Sequence, residues 1–67
     1  MITLPASIAA RAERMAKRIG DFAWVFRDDD APEGYGVTDE NGACWYAGQQ
    51  PVAAVDPEGE WSFDVSL

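Results

Sequence analysis

The chain has 67 residues, 48% of them apolar and 12% aromatic, with 12 Asp and Glu against 5 Lys and Arg and a net charge of −7. That makes one domain, small enough to bury only about 60% of the surface its unfolded form exposes, yet too apolar for a disordered acidic tail. There is no histidine and a single cysteine, Cys44, which excludes a Ser-His-Asp or Cys-His arrangement, a His-based metal site, a zinc cluster and an internal disulfide.

The first element is a helix. From Leu4 to Ile19, at about 100° per residue, Leu4, Ile8, Ala12, Met15 and Ile19 form one stripe, with Arg11, Glu13, Arg14, Lys17 and Arg18 on the opposite arc. Thr3 suits the N-cap, Pro5 the first turn and Gly20 a left-handed stop, so the pattern predicts a helix over residues 5–19 whose basic face is solvated. Charges break the apolar positions of residues 1–20, so a signal-peptide core is not expected, and no run approaches the roughly 18 apolar residues a bilayer requires. A soluble, cytoplasmic protein without membrane contact is expected.

After Gly20 the period changes to two. Phe22, Trp24 and Phe26 alternate with Ala23, Val25 and Arg27, and Trp61, Phe63, Val65 and Leu67 alternate with Ser62, Asp64 and Ser66. Two turns lie between them: Asp39-Glu40-Asn41-Gly42 and Asp56-Pro57-Glu58-Gly59 each run from Asp to Gly, as a type I turn closed by a glycine bulge does. For the first, one register pairs Val37 with Trp45, whereas an Asn-Gly loop groups Val37 with Tyr46, and both remain open. The segment 51–55, PVAAV, reads as a short strand that Pro51 can only begin or place at an edge. The expected fold is α+β, one helix on a four- or five-stranded antiparallel meander, with the helix stripe against the face carrying Trp24, Phe26, Trp61 and Phe63.

Charge is divided unevenly. Residues 1–20 carry +3, and the remaining 47 residues set eleven carboxylates against Arg27 alone, giving −10. The acids gather on turns: Asp28, Asp29, Asp30 and Glu33 at one end of the expected sheet, with Asp39, Glu40, Asp56, Glu58 and Glu60 at the other, and Asp64 in the last strand. Asp28-x-Asp30 opens like a calcium loop, but Glu33 stands where that loop needs glycine and Asp39 where it needs glutamate, so no metal or cofactor is expected. Cys44 has no base or cation beside it and reads as a packing residue. With no phosphate-cradling glycine loop either, enzymatic activity is not expected.

Alternate residues on a strand stand about 6.6 to 6.8 Å apart, close to two base steps of one DNA strand, so a small acidic sheet presents charge at a density like that of nucleic acid. In its size, acidity, lack of active-site motif and helix-plus-meander plan, the chain resembles the small phage-encoded anti-CRISPR proteins. More narrowly it resembles the acidic DNA mimics that block type I effector (Cascade) complexes, the type I-C inhibitors in particular. The resemblance implies non-enzymatic inhibition in a bacterial host cytoplasm. Asp28, Asp29, Asp30, Glu33, Asp39, Glu40, Asp56, Glu58, Glu60 and Asp64 would enter the basic channel or PAM-reading surface of the complex and exclude target DNA. A monomer that binds a basic protein and not nucleic acid itself is expected. The alternative is an acidic docking module, antitoxin-like or subunit-binding, without mimicry.

Overall fold

The computed structural model describes residues 4–40, 42, 46 and 48–63. The helix α1 spans Ala6–Ile19, and Gly20 ends it at φ 70°, its N–H donating to the Ala16 carbonyl at 2.9 Å. Pro5 occupies the N-cap position, one residue before the helix, and its carbonyl accepts from the Ile8 and Ala9 N–H groups at 3.0 Å each. Thr3 lies outside the described residues.

Four strands follow, β1 (Ala23–Arg27), β2 (Tyr35–Thr38), β3 (Ala53–Val55) and β4 (Trp61–Ser62), in one antiparallel sheet. The α+β class and the helix packed on the sheet follow the sequence pattern. The strand order is β2-β1-β3-β4, however, so β1 is central and the sheet is not a simple meander. The connection from β2 to β3 passes from one side of β1 to the other. On the way Tyr46 stacks on Phe26, with ring centroids 4.6 Å apart and planes within 4°. Apolar residues on both sides of β1 explain this route, because a central strand needs cover on both of its faces.

The register shows which side chains share a face. Ala23 pairs with Val55 and Val25 with both Val37 and Ala53, while Val55 pairs with Trp61. This set meets α1. Ile8, Ala12, Ala16, Ala23, Val25, Ala53 and Val55 form a fully buried cluster, rimmed by Leu4, Met15, Tyr35, Val37, Val52 and Trp61. Trp24 and Phe26 therefore point away from the helix, opposite to the sequence expectation, and Trp24 shares no core with Trp61. The reason is steric. Ala12 and Ala16 bring the helix backbone close to the sheet, and the small Ala23 and Val25 fit beneath it where Trp24 and Phe26 do not. Trp61 does face the helix, donating its indole N–H to Glu13 Oε2 at 2.8 Å, and Phe63 stacks on it at 5.8 Å while staying 49% exposed.

The β3–β4 turn forms as its sequence predicts. The Gly59 N–H donates to the Asp56 carbonyl and the Asp56 N–H to the Glu60 carbonyl, both at 3.0 Å, and Gly59 adopts φ 89°. In the other Asp-to-Gly segment Asp39 Oδ1 accepts the Gly42 N–H at 2.7 Å. The hairpin expected there, with Cys44 and Trp45, lies outside the described residues, as do Asp64, Val65 and Leu67.

Candidate functional site: the acidic ends of the sheet

Strand polarity sorts the carboxylates. β1 ends, and β2 and β3 begin, at one end of the sheet, which carries the turn from Asp28 to Gly34. The opposite end gathers Asp21 before β1, Asp39 and Glu40 after β2, and Asp56 to Glu60 between β3 and β4. Although the strands are not in meander order, the two groups still stand at opposite ends.

Within the first turn Asp28 is a structural residue. Its Oδ1 accepts the Asp30 N–H at 3.1 Å and its Oδ2 accepts the Tyr46 hydroxyl at 3.0 Å. Its own N–H donates to the Gly34 carbonyl, and its carbonyl accepts from Ala31, both at 3.0 Å. Burial pushes the Tyr46 phenol above its ordinary value, and the hydrogen bond to Asp28 and the charge of that carboxylate push it further the same way. Gly36 is required here, since a Cβ at this position would overlap the Tyr46 phenol. Arg27, Asp28, Asp29, Asp30, Tyr46 and Gln49 line a groove of about 690 Å³. Gln49 closes one side by donating its amide to the Arg27 carbonyl at 2.7 Å, and the Arg27 guanidinium lies 5.4 Å from the centre of the Tyr35 ring.

Glu33 is held differently. It sits at φ 66°, a left-handed conformation uncommon outside glycine, asparagine and aspartate, and it accepts a hydrogen bond from the Ser7 hydroxyl in the first turn of α1. That places a carboxylate beside the positive end of the helix dipole, which favours it. The positive φ at Glu33 leads into Gly34 at φ 81°, and the two together turn the chain into β2.

At the opposite end the same division recurs. Asp56 Oδ1 accepts the N–H groups of Glu58 and Glu60, each at 2.9 Å, Asp39 Oδ1 holds Gly42, and Asp21 Oδ1 accepts the Phe22 N–H at 2.7 Å. Asp28, Asp39 and Asp56 are half-buried turn builders, whereas Asp29, Asp30, Glu33, Glu40, Glu58 and Glu60 are exposed. The aspartates at turn starts shape the backbone, and the acids that follow them face solvent. The structure thus divides into two classes a set that the sequence presented as one. Asp64 lies outside the described residues.

Three partnerships here have no signal in the sequence: Tyr46 with Asp28, Ser7 with Glu33 and Trp61 with Glu13. They join residues 18, 26 and 48 positions apart, and only the packing of helix, sheet and connections brings them together. Among the described residues no three carboxylates are grouped so as to hold a metal ion. The site presents negative charge on turns whose backbones are held by the half-buried aspartates.

Compared with known proteins, the chain matches no family model, no curated sequence and no solved structure.

Proposed function

We propose that this protein is a non-enzymatic inhibitor that presents the exposed carboxylates at the ends of its sheet to a basic nucleic-acid-binding site and so keeps nucleic acid out, with a type I CRISPR effector complex as the expected target. One observation carries the reading. At each end a half-buried aspartate fixes a turn through backbone hydrogen bonds, and the free acids, Asp29 and Asp30 at one end and Glu40, Glu58 and Glu60 at the other, project from those fixed positions. A held backbone suits a phosphate surrogate, because a partner then need order only the side chains that carry the charge. Like charges kept side by side cost perhaps tenths of a kcal/mol to about 1 kcal/mol per close exposed pair, and a surface rich in Lys and Arg relieves that cost.

A bacterial cytoplasm is the proposed setting, and among the described residues no helix is long and apolar enough to cross a membrane. The first test is capture from a bacterial lysate on the immobilised protein. A nucleic-acid-binding complex released by salt supports the reading.

A second reading rests on different side chains. Ile19, Phe22 and Phe63 are 38%, 42% and 49% exposed, and a docking module would bury them against a partner that is not basic. Capture that survives high salt but is lost in Phe22→Ser or Phe63→Ser would favour docking over mimicry.

A further inference from the structure

The exposed acids are complementary to a basic surface, and the chain carries one itself. On α1, Arg11, Arg14 and Arg18 lie within an arc of about 60°, turned well away from the Ile8, Ala12 and Ala16 side that meets the sheet. All three are exposed. From Arg11 to Arg18 the ridge rises about 10.5 Å along the helix axis. Among the described residues, the hydrogen bonds that α1 side chains make to the rest of the fold use Ser7 and Glu13 and leave the arginines out.

The strand order sets a complementary row. Neighbouring strands are about 4.8 Å apart. The sequence β2-β1-β3-β4 therefore lines up Glu40 after β2, Asp21 before β1, and Glu58 and Glu60 at the β3–β4 turn, over roughly 10 to 14 Å. Ile19, Asp21, Asp39 and Glu40 line one hollow of about 170 Å³, so the row begins where α1 ends. Ridge and row match in length and oppose in charge, and they occupy adjoining surfaces, so a two-fold axis can pair each ridge with the partner's row.

We infer that this protein self-associates through its arginine ridge, which docks on the Glu40–Glu58–Glu60 row of a second copy. The contact uses carboxylates from the proposed function but does not depend on that reading. It would cover one acidic end and the basic helix together, leaving Asp29 and Asp30 free. At about 0.1 M salt the Debye length of about 10 Å is as long as the ridge, so adjacent opposite charges attract while repulsion between whole molecules is largely screened; at about 1 M, with a Debye length of about 3 Å, the attraction is lost as well.

The test is sedimentation equilibrium of the purified chain alone at these two salt concentrations. The average mass should rise toward twice that of the monomer at about 0.1 M and return to the monomer at about 1 M. The triple variant R11Q/R14Q/R18Q and, separately, E40Q/E58Q/E60Q should remain monomeric at both, with unchanged circular dichroism, while D29N/D30N should associate like the wild type. Mixing a ridge variant reversed to glutamate with a row variant reversed to lysine should restore association. A monomer at every salt concentration overturns the inference. So does association that the ridge substitutions leave intact, or that D29N/D30N abolishes. Because no nucleic acid or other protein is present, failure of this inference leaves the inhibition reading standing, and its success would leave Asp29 and Asp30 as the carboxylates free to meet the target.

Discussion

Asp28 and its two neighbours carry the same charge and do different work. Mutual repulsion alone predicts that replacing any of the three by a neutral residue leaves the fold intact or improves it. Asp29 and Asp30 are exposed, and D29N/D30N should shift the urea midpoint slightly upward or not at all. Asp28 accepts the Asp30 N–H and the Tyr46 hydroxyl, so Asp28→Ala should cost about 1 to 2 kcal/mol in the same measurement. A second prediction follows from Tyr46. The fold raises its pKa above the unfolded value, so the neutral phenol contributes stability that is complete below about pH 10 and lost as pH rises through the raised value. The denaturation midpoint of the wild type should fall over that alkaline range more steeply than that of Tyr46→Phe. A steeper fall in the variant would reverse the sign and remove the proposed link between Tyr46 and Asp28. None of this was legible beforehand. An aspartate run gives no indication of which member starts the turn until the strand ends are fixed.

At the scale of elements, the helix was legible almost to the residue because its apolar stripe, Pro5 and Gly20 agree, and the β3–β4 hairpin because Asp56 and Gly59 fit one turn type. The facing of β1 was not. In FAWVF both alternating sets are apolar, and the choice between them depends on the size of the residues across the interface, which no period reports. The packing that results gives a direct contrast. Phe26 is fully buried beneath Tyr46, so Phe26→Ala should cost about 3 to 5 kcal/mol, enough to unfold a domain this small. Ala16 is fully buried between α1 and the sheet, and Ala16→Leu should cost about 1 to 3 kcal/mol by forcing the two layers apart. If Ala16→Leu were tolerated without loss in thermal melts, the close helix–sheet contact described here would be wrong.

For the whole molecule, the placement of charge was legible although the topology was not. Turn residues stand at strand ends in either strand order, so Asp28–Glu33 and the group from Asp39 to Glu60 occupy opposite ends in a meander and in the β2-β1-β3-β4 sheet alike. What the sequence left undivided was the role of each acid, because half-burial and backbone bonding at Asp28, Asp39 and Asp56 depend on the folded turns. The most direct measurement is competition. The basic complex captured from lysate is loaded with labelled nucleic acid, and this protein is titrated in near physiological salt, where charges beyond about 8 to 10 Å are screened. Mimicry predicts stoichiometric displacement by the wild type that weakens as salt rises and is lost when Asp29, Asp30, Glu40, Glu58 and Glu60 are changed to their amides. Simultaneous binding of the protein and the nucleic acid, with neither weakening the other, would contradict it.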